Sequence, residues 1–233
     1  MKGSKPALDS SSSAQALYGR EYVDRFVRMH TNRRLKWLLE YVTLRKDFRI
    51  VDFGCGSGML MELVAPNVAS YTGVDFSEEF IAESRRRQQQ LRVSNAEFVC
   101  SGVEEFCTQH VGRFDVGFAL DFAEHVPDAA WRRYLEAMRL SLRQGGSLYL
   151  HTPNAHFFVE IMKEKGIILR QFPEHVAVRS PDEHVQLLRQ AGYTVERVSL
   201  IPHYGELRVL HLLSHLPGIG RYFKARIFIE ARK

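Results

Sequence analysis

The stretch Val51-Asp52-Phe53-Gly54-Cys55-Gly56-Ser57-Gly58 decides the fold. Phe48 to Phe53 reads as a buried strand, Gly54 to Gly58 as a tight turn, and Met59 onward as a short apolar helix. Glycines at alternate positions let the backbone turn sharply and bring a ligand against main-chain N–H groups. A strand, a glycine turn and a helix N-terminus together make a nucleotide site at the carboxyl end of a parallel strand. A dinucleotide fingerprint would need its third glycine where Met59 stands and would lay a pyrophosphate on the turn. Asp52, just before the turn, would repel that pyrophosphate and attract a ligand bearing an ammonium group.

Outward from the turn, strands are expected at about 48–53, 70–75, 96–100, 114–120, 145–151, 193–201 and 225–231, mostly alternating with helical patterns. Ser77 with Glu78 and Glu79 starts one helix as an N-cap with acids in the first turn. Trp131, Tyr134, Leu135, Met138 and Leu142 mark another, closed by Gly145-Gly146. Ser180-Pro181-Asp182-Glu183 is a capping box with proline at the first helical position, and that helix stops at Gly192. Leu35, Leu38, Leu39 and Val42 place helices over Tyr18 to Thr43. The pattern specifies an α/β fold with a doubly wound, mostly parallel, seven-stranded sheet.

At 233 residues the chain suits one domain over 17–233, preceded by a Ser-rich, disordered segment from Met1 to Ala16. No apolar run approaches the roughly 20 residues that span a bilayer. Cys55, Cys100 and Cys107 are odd in number and lack metal-type spacing, which fits a reducing cytoplasm. Residues 1–50 hold eleven Lys/Arg against five Asp/Glu and 201–233 hold six against two, while 51–200 hold fifteen against twenty. Solvated helix faces explain this split; so would basic ends that attract an anionic acceptor or an anionic membrane surface. Aromatics at the ends are not interleaved with Lys/Arg as in a stacking platform, so nucleic acid is not an expected partner.

The acid-x-Gly-x-Gly-x-Gly pattern at Asp52, Gly54, Gly56 and Gly58 closely resembles the first motif of class I S-adenosylmethionine-dependent methyltransferases. Asp75 fits the same resemblance, because it ends a second strand where a carboxylate can accept both ribose hydroxyls. The resemblance implies that Asp52 and the glycine turn hold the methionine end, Asp75 and Phe76 the ribose side, and Leu120 and Asp121 the pocket floor. It leaves Ser101, Gly102 and Val103 as adenine contacts without a clear carboxylate. It also implies a Rossmann-like sheet ending in an antiparallel hairpin, with insertions at about 156–179 and 203–224 and an N-terminal helical cap over the substrate pocket. In the second insertion Leu207, Leu210, Leu213 and Leu216 form an apolar stripe, expected to pack against the core.

A second constellation follows the fourth strand: Leu120-Asp121-Phe122-Ala123-Glu124-His125-Val126-Pro127-Asp128. By spacing, Asp121, Glu124 and His125 can share one face of a helical turn. Phe172-Pro173-Glu174-His175-Val176 could return a second imidazole to the cleft. Two carboxylates and two imidazoles suit Mg²⁺ or a similar divalent metal. The segment resembles the Glu-x-x-Glu-His stretch of ubiquinone-biosynthesis O-methyltransferases and of small-RNA 2′-O-methyltransferases, where such residues bind a divalent metal. Asp121 departs from that pattern by one methylene. The resemblance therefore implies either a metal on Asp121, Glu124, His125 and His175, or a metal-free site with His125 or His175 as base and Glu124 in support.

His151, at the active-site end of the fifth strand, is expected to support that site. His211 and His215 have i, i+4 spacing but no third ligand nearby. The expected function is methyl transfer from S-adenosylmethionine to a hydroxyl of a small molecule or glycan. N- or C-methylation, a nucleic-acid 2′-O-methyltransferase and a non-catalytic cofactor-binding partner protein stand as alternatives.

Overall fold

Ile50, Val51 and Phe53 expose no surface, so the strand they form, β1 (Arg49–Phe53), lies at the centre of a sheet covered on both faces. The computed structural model describes residues 20, 23, 32–167, 170, 175–204 and 206–233. The expected disorder of 1–16, most of the helical region before residue 32 and the Phe172-Pro173-Glu174 turn lie outside the described residues.

The remaining strands are β2 (Ser70–Asp75), β3 (Ala96–Cys100), β4 (Phe114–Leu120), β5 (Leu142–Pro153), β6 (Thr194–Ile201) and β7 (Arg226–Arg232). They form one seven-stranded sheet in the order β3-β2-β1-β4-β5-β7-β6. β1 to β5 pair in parallel, and β7 runs antiparallel between β5 and β6. The order reverses between β2 and β4 on either side of β1. In open α/β sheets ligands bind outside the carboxyl ends of the strands at such a reversal.

The described helices are α1 (Arg33–Leu39), α2 (Met61–Val64), α3 (Glu78–Leu91), α4 (Val103–Gln109), α5 (Asp128–Ser141), α6 (Phe158–Glu164) and α7 (Pro181–Gln190). The period of two along β1 separates two cores. Val51 and Phe53 join Phe106, Trp131, Leu135 and Leu188 of α4, α5 and α7. Ile50 joins Leu35 and Leu38 of α1, Met61 of α2 and Ile81 of α3 on the opposite face. Both expected caps form. Ser77 accepts from Phe80 N, and the capping box at Ser180 and Glu183 is reciprocal.

Three expectations need correction. β5 begins at Leu142 rather than near 145, because Leu142 already pairs with Phe114 across an irregular register. The described part of the first helical region ends at Leu39, with Glu40 as its C-cap. The leucine stripe is not core. Glu206–His215 is a 3-10 helix whose three-residue turn puts Leu207, Leu210, Leu213 and Leu216 on one side. Leu210 and Leu213 are half-buried, while Leu207 and Leu216 are exposed, and so are Val209 and Leu212. No helix among the described residues is long and apolar enough to cross a membrane.

Candidate active site

The cofactor side is built by one β-α-β unit. After β1 the chain turns at once: Gly54 N and Cys55 N donate to Val74 O of β2 at 2.8 and 3.1 Å. Gly54 has φ +69, and a Cβ there would lie 2.7 Å from the Phe122 ring. Gly58 has φ +71 and the same problem against Phe98 at 3.0 Å. Only glycine meets both demands at these positions. Asp75, at the end of β2, is braced from both sides, with Gly56 N donating to Oδ2 and Ser77 N to Oδ1, each at 3.0 Å. Burial pushes its carboxyl up to about 6 against the pull of those amides. The braced carboxylate retains outward lone pairs for a diol.

Asp52 sits deeper than its place beside the turn suggests. It is buried and accepts a 2.5 Å hydrogen bond from the Tyr71 hydroxyl. Burial raises it to about 7 despite that bond, with the Asp75 charge adding to the rise. An ammonium group at the turn would draw it back to the charged form. Tyr71, absent from the sequence reading, is the partner that orients it; an apolar-looking tyrosine inside a strand gave no signal of that role. Ser101 N donates to Asp75 O, which fixes the end of β3 beside the Asp75 carboxylate. Gly102 is the N-cap of α4, and Val103 is buried behind it. Phe76 is half-buried, and its carbonyl takes a contact from Cys100.

Leu120 ends β4 beside β1, and beyond it the backbone departs from the expected helical turn. Asp121 has φ +52, and its N–H donates to His151 O at 2.7 Å. The 3-10 turn starts only at Ala123 (Ala123–His125), so Asp121 does not share a helical face with Glu124 and His125. The Asp121 carboxylate is instead committed to Arg34 at 2.7 Å, Arg226 at 3.1 Å and His151 Nδ1 at 2.9 Å. Burial alone would raise it, but Arg34, His151 and Arg226 together hold it well below the usual carboxylate range. His151 has no exposed surface, and its Nε2 lies 2.7 Å from the Tyr204 hydroxyl. The ring therefore lies between the Asp121 carboxylate and the Tyr204 hydroxyl. Arg34 and Arg226 also account for part of the basic excess at the chain ends, because their charge is spent internally.

Glu124, His125 and His175 do converge. One donor atom from each lies within 4.8 Å of the others, and the two imidazoles meet edge to face at 5.1 Å. Among the described residues this is the one His/Cys/Asp/Glu group with metal-type convergence; Asp121 is not part of it, and neither are His211 and His215. Glu124 is buried, and Thr152 Oγ1 donates to its Oε2 at 3.0 Å. Burial, reinforced by the Asp121 charge, pushes it up to about 8. His175 is driven down to about 4 by burial and then by His125. Glu124 and His175 are thus both held neutral in a partly dry site, and a neutral imidazole is the state that ligates a cation or accepts a proton.

A glycine turn over two braced carboxyls, set at the switch point of this sheet, defines an α/β enzyme that binds an adenosine-type cofactor. Residues 19–198 match the family described as a methyltransferase domain. The ubiquinone biosynthesis O-methyltransferase of Acinetobacter baumannii (strain AYE) is 31% identical over 190 residues, 78% of each chain. That of Coxiella burnetii (strain RSA 331 / Henzerling II) is 36% identical over 163 residues, 69% of this chain and 65% of that one. The fold is shared with magnesium protoporphyrin IX methyltransferase from Synechocystis PCC 6803, solved with bound SAH. Its TM-score is 0.69 at 17% identity, covering 96% of this chain and 100% of that one. The chain belongs to the methyltransferase-domain family: it is a class I S-adenosylmethionine-dependent methyltransferase, and S-adenosylmethionine is its cofactor.

Proposed function

We propose that this enzyme methylates a hydroxyl group of a small aromatic molecule and that Glu124, His125 and His175 handle the acceptor proton. The observation that carries the proposal is the convergence of these three side chains beyond the carboxyl end of β4, next to the cofactor turn. The names of the relatives, O-methyltransferases of ubiquinone biosynthesis, support oxygen as the acceptor atom. Bound S-adenosylmethionine supplies a sulfonium methyl that is already electrophilic. The protein's tasks are then to align the acceptor and to remove its proton.

Asp75 would take the ribose hydroxyls and the glycine turn would carry the methionine end, with Asp52 and Tyr71 beneath it. His125, half-buried at the mouth of the cluster, would accept the hydroxyl proton on a ring nitrogen. The charges of Glu160, Lys163 and Arg226 act on both His175 and His203. Phe157 stacks on His203, and Phe158 packs on Phe223. These rings support an aromatic acceptor over a glycan.

The donor set also fits a divalent cation, because a buried carboxyl raised to about 8 and a His175 imidazole held neutral converge with His125 and gain from one shared positive charge. Glu124, His125 and His175 would hold it. Once bound it would supply Lewis-acid charge that acidifies a hydroxyl. Labelled methyl transfer to a dihydroxybenzene acceptor, with and without EDTA, tests both readings. EDTA-insensitive turnover that rises with pH supports the histidine base. Loss of turnover restored by added metal supports the cation. Absence of any O-methyl product with either overturns the proposal.

A further inference from the structure

Arg179 carries the observation that the chemistry above leaves unused. Its side chain is only 3% exposed, and the guanidinium serves as a clip between two separate pieces of chain. Nη1 donates to Ala123 O at 2.7 Å and to Ala177 O at 3.2 Å. Nη2 donates to Val126 O at 2.6 Å, and Nε to Asp128 Oδ1 at 2.8 Å. The plane lies 6.0 Å from the Trp131 ring centre, on the core side of α5. From the opposite direction, Val176 N and Ala177 N both donate to Glu124 O, at 2.9 and 3.1 Å.

The two clipped pieces are the turn that bears Glu124 and His125 and the segment that begins at His175. Neither piece is held by a sheet ladder: one is a single 3-10 turn, and the other lies between α6 and α7 without regular structure. We propose that Arg179 is the positioning residue of this site, holding Glu124 and His125 in register with His175. The proposal rests on the reading of that cluster as the place of proton handling or cation binding.

The guanidinium shape explains why arginine is needed. Three carbonyls and a carboxylate lie around one planar group, and a fork of fixed N–H directions reaches all four. Lysine keeps the charge on one rotatable ammonium that cannot span them. An apolar side chain leaves Ala123 O, Val126 O and Ala177 O without that donor, a loss borne by the turn itself.

The test uses the full chain with Arg179→Lys and Arg179→Met. Mn²⁺ alone serves as the cation probe, read by its EPR signal. Amide hydrogen exchange is followed at Val176 and Ala177, and calorimetry records S-adenosylmethionine affinity. In Arg179→Met, Mn²⁺ binding should weaken by about 10- to 100-fold, the usual loss when the residues that orient metal ligands are removed. The Val176 and Ala177 amides should lose protection while cofactor affinity stays within about twofold. Arg179→Lys should fall between wild type and Met, and it carries the same readouts should Arg179→Met fail to fold.

Full Mn²⁺ affinity in a folded Arg179 variant overturns the proposal. If the wild type takes up no Mn²⁺, the cation reading fails on its own and the exchange data decide for Arg179. Unchanged protection at Val176 and Ala177 then overturns the clip, and selective loss there upholds it.

Discussion

The cofactor side is assembled between Val51 and Ser77 within a single β-α-β unit, with backbone amides of Gly56 and Ser77 bracing Asp75. The Glu124–His125–His175 cluster instead draws on β4, β5 and the approach to α7, and long-range contacts from Arg179, Thr152 and the Asp121 ion pairs hold that region. The difference separates two kinds of dependence. The proposed cofactor side rests on local backbone geometry within one β-α-β unit. The proposed acceptor side rests on how distant segments are tied together.

The comparison breaks most severely at Gly54. Gly54→Val combines an unfavourable positive φ with a Cβ 2.7 Å from Phe122, so urea unfolding should show a loss of about 2–5 kcal/mol. Cofactor binding should fall with it, because Phe122 belongs to the segment that joins the two sides. A Gly54→Val protein with wild-type stability would mean that the turn is freer than its packing implies.

Next in size is Asp75→Ala, which should weaken S-adenosylmethionine binding by about 1–3 kcal/mol in calorimetry. If the two sides are independent, the same variant should leave Mn²⁺ uptake at the Glu124 cluster unchanged. A parallel loss of both would erase the distinction.

Asp52→Asn sharpens the electrostatic part. Burial raises the Asp52 carboxyl from an ordinary 3.8 to about 7 in the cofactor-free protein. A carboxyl raised on folding contributes fully below about 3.8, and that contribution is lost as pH rises towards and through about 7. The stability of Asp52→Asn relative to wild type should therefore climb between about pH 4 and 7, by at least about 1 kcal/mol. Chemical denaturation across that range checks it; a flat difference would place the charge in a wetter site.

The smallest effect is expected at Leu212, 73% exposed on the 3-10 segment. Leu212→Ser should change stability by no more than about 0.5 kcal/mol. A larger loss in thermal melts would restore the packing role that the stripe suggested.

What the sequence discloses follows the same division. The glycine turn, the strand that ends at Asp75 and both helix caps are legible because each is encoded within a few neighbouring residues, whereas the antiparallel β7 is expected only from the family resemblance. The acceptor side was only half legible. Glu124, His125 and His175 were found by residue type, yet Asp121 was placed with them because helical spacing was assumed through a residue whose φ is +52. Its true partners, Arg34 and Arg226, come from opposite ends of the chain. Arg179 directly precedes a capping box, and nothing local marks it as buried. The leucine stripe misled because a spacing of three fits a 3-10 turn as well as a core-facing face.

The most direct test of the account follows the methyl group itself. S-adenosyl-[methyl-¹³C]methionine and a dihydroxybenzene acceptor would be given to the wild type and to the Glu124→Ala/His125→Ala double variant, with products read by NMR. The account predicts a methoxy signal from the wild type. The double variant should turn over about 100-fold or more slowly while keeping its cofactor affinity. Label on a ring carbon instead of oxygen, or an undiminished rate in the double variant, would contradict it.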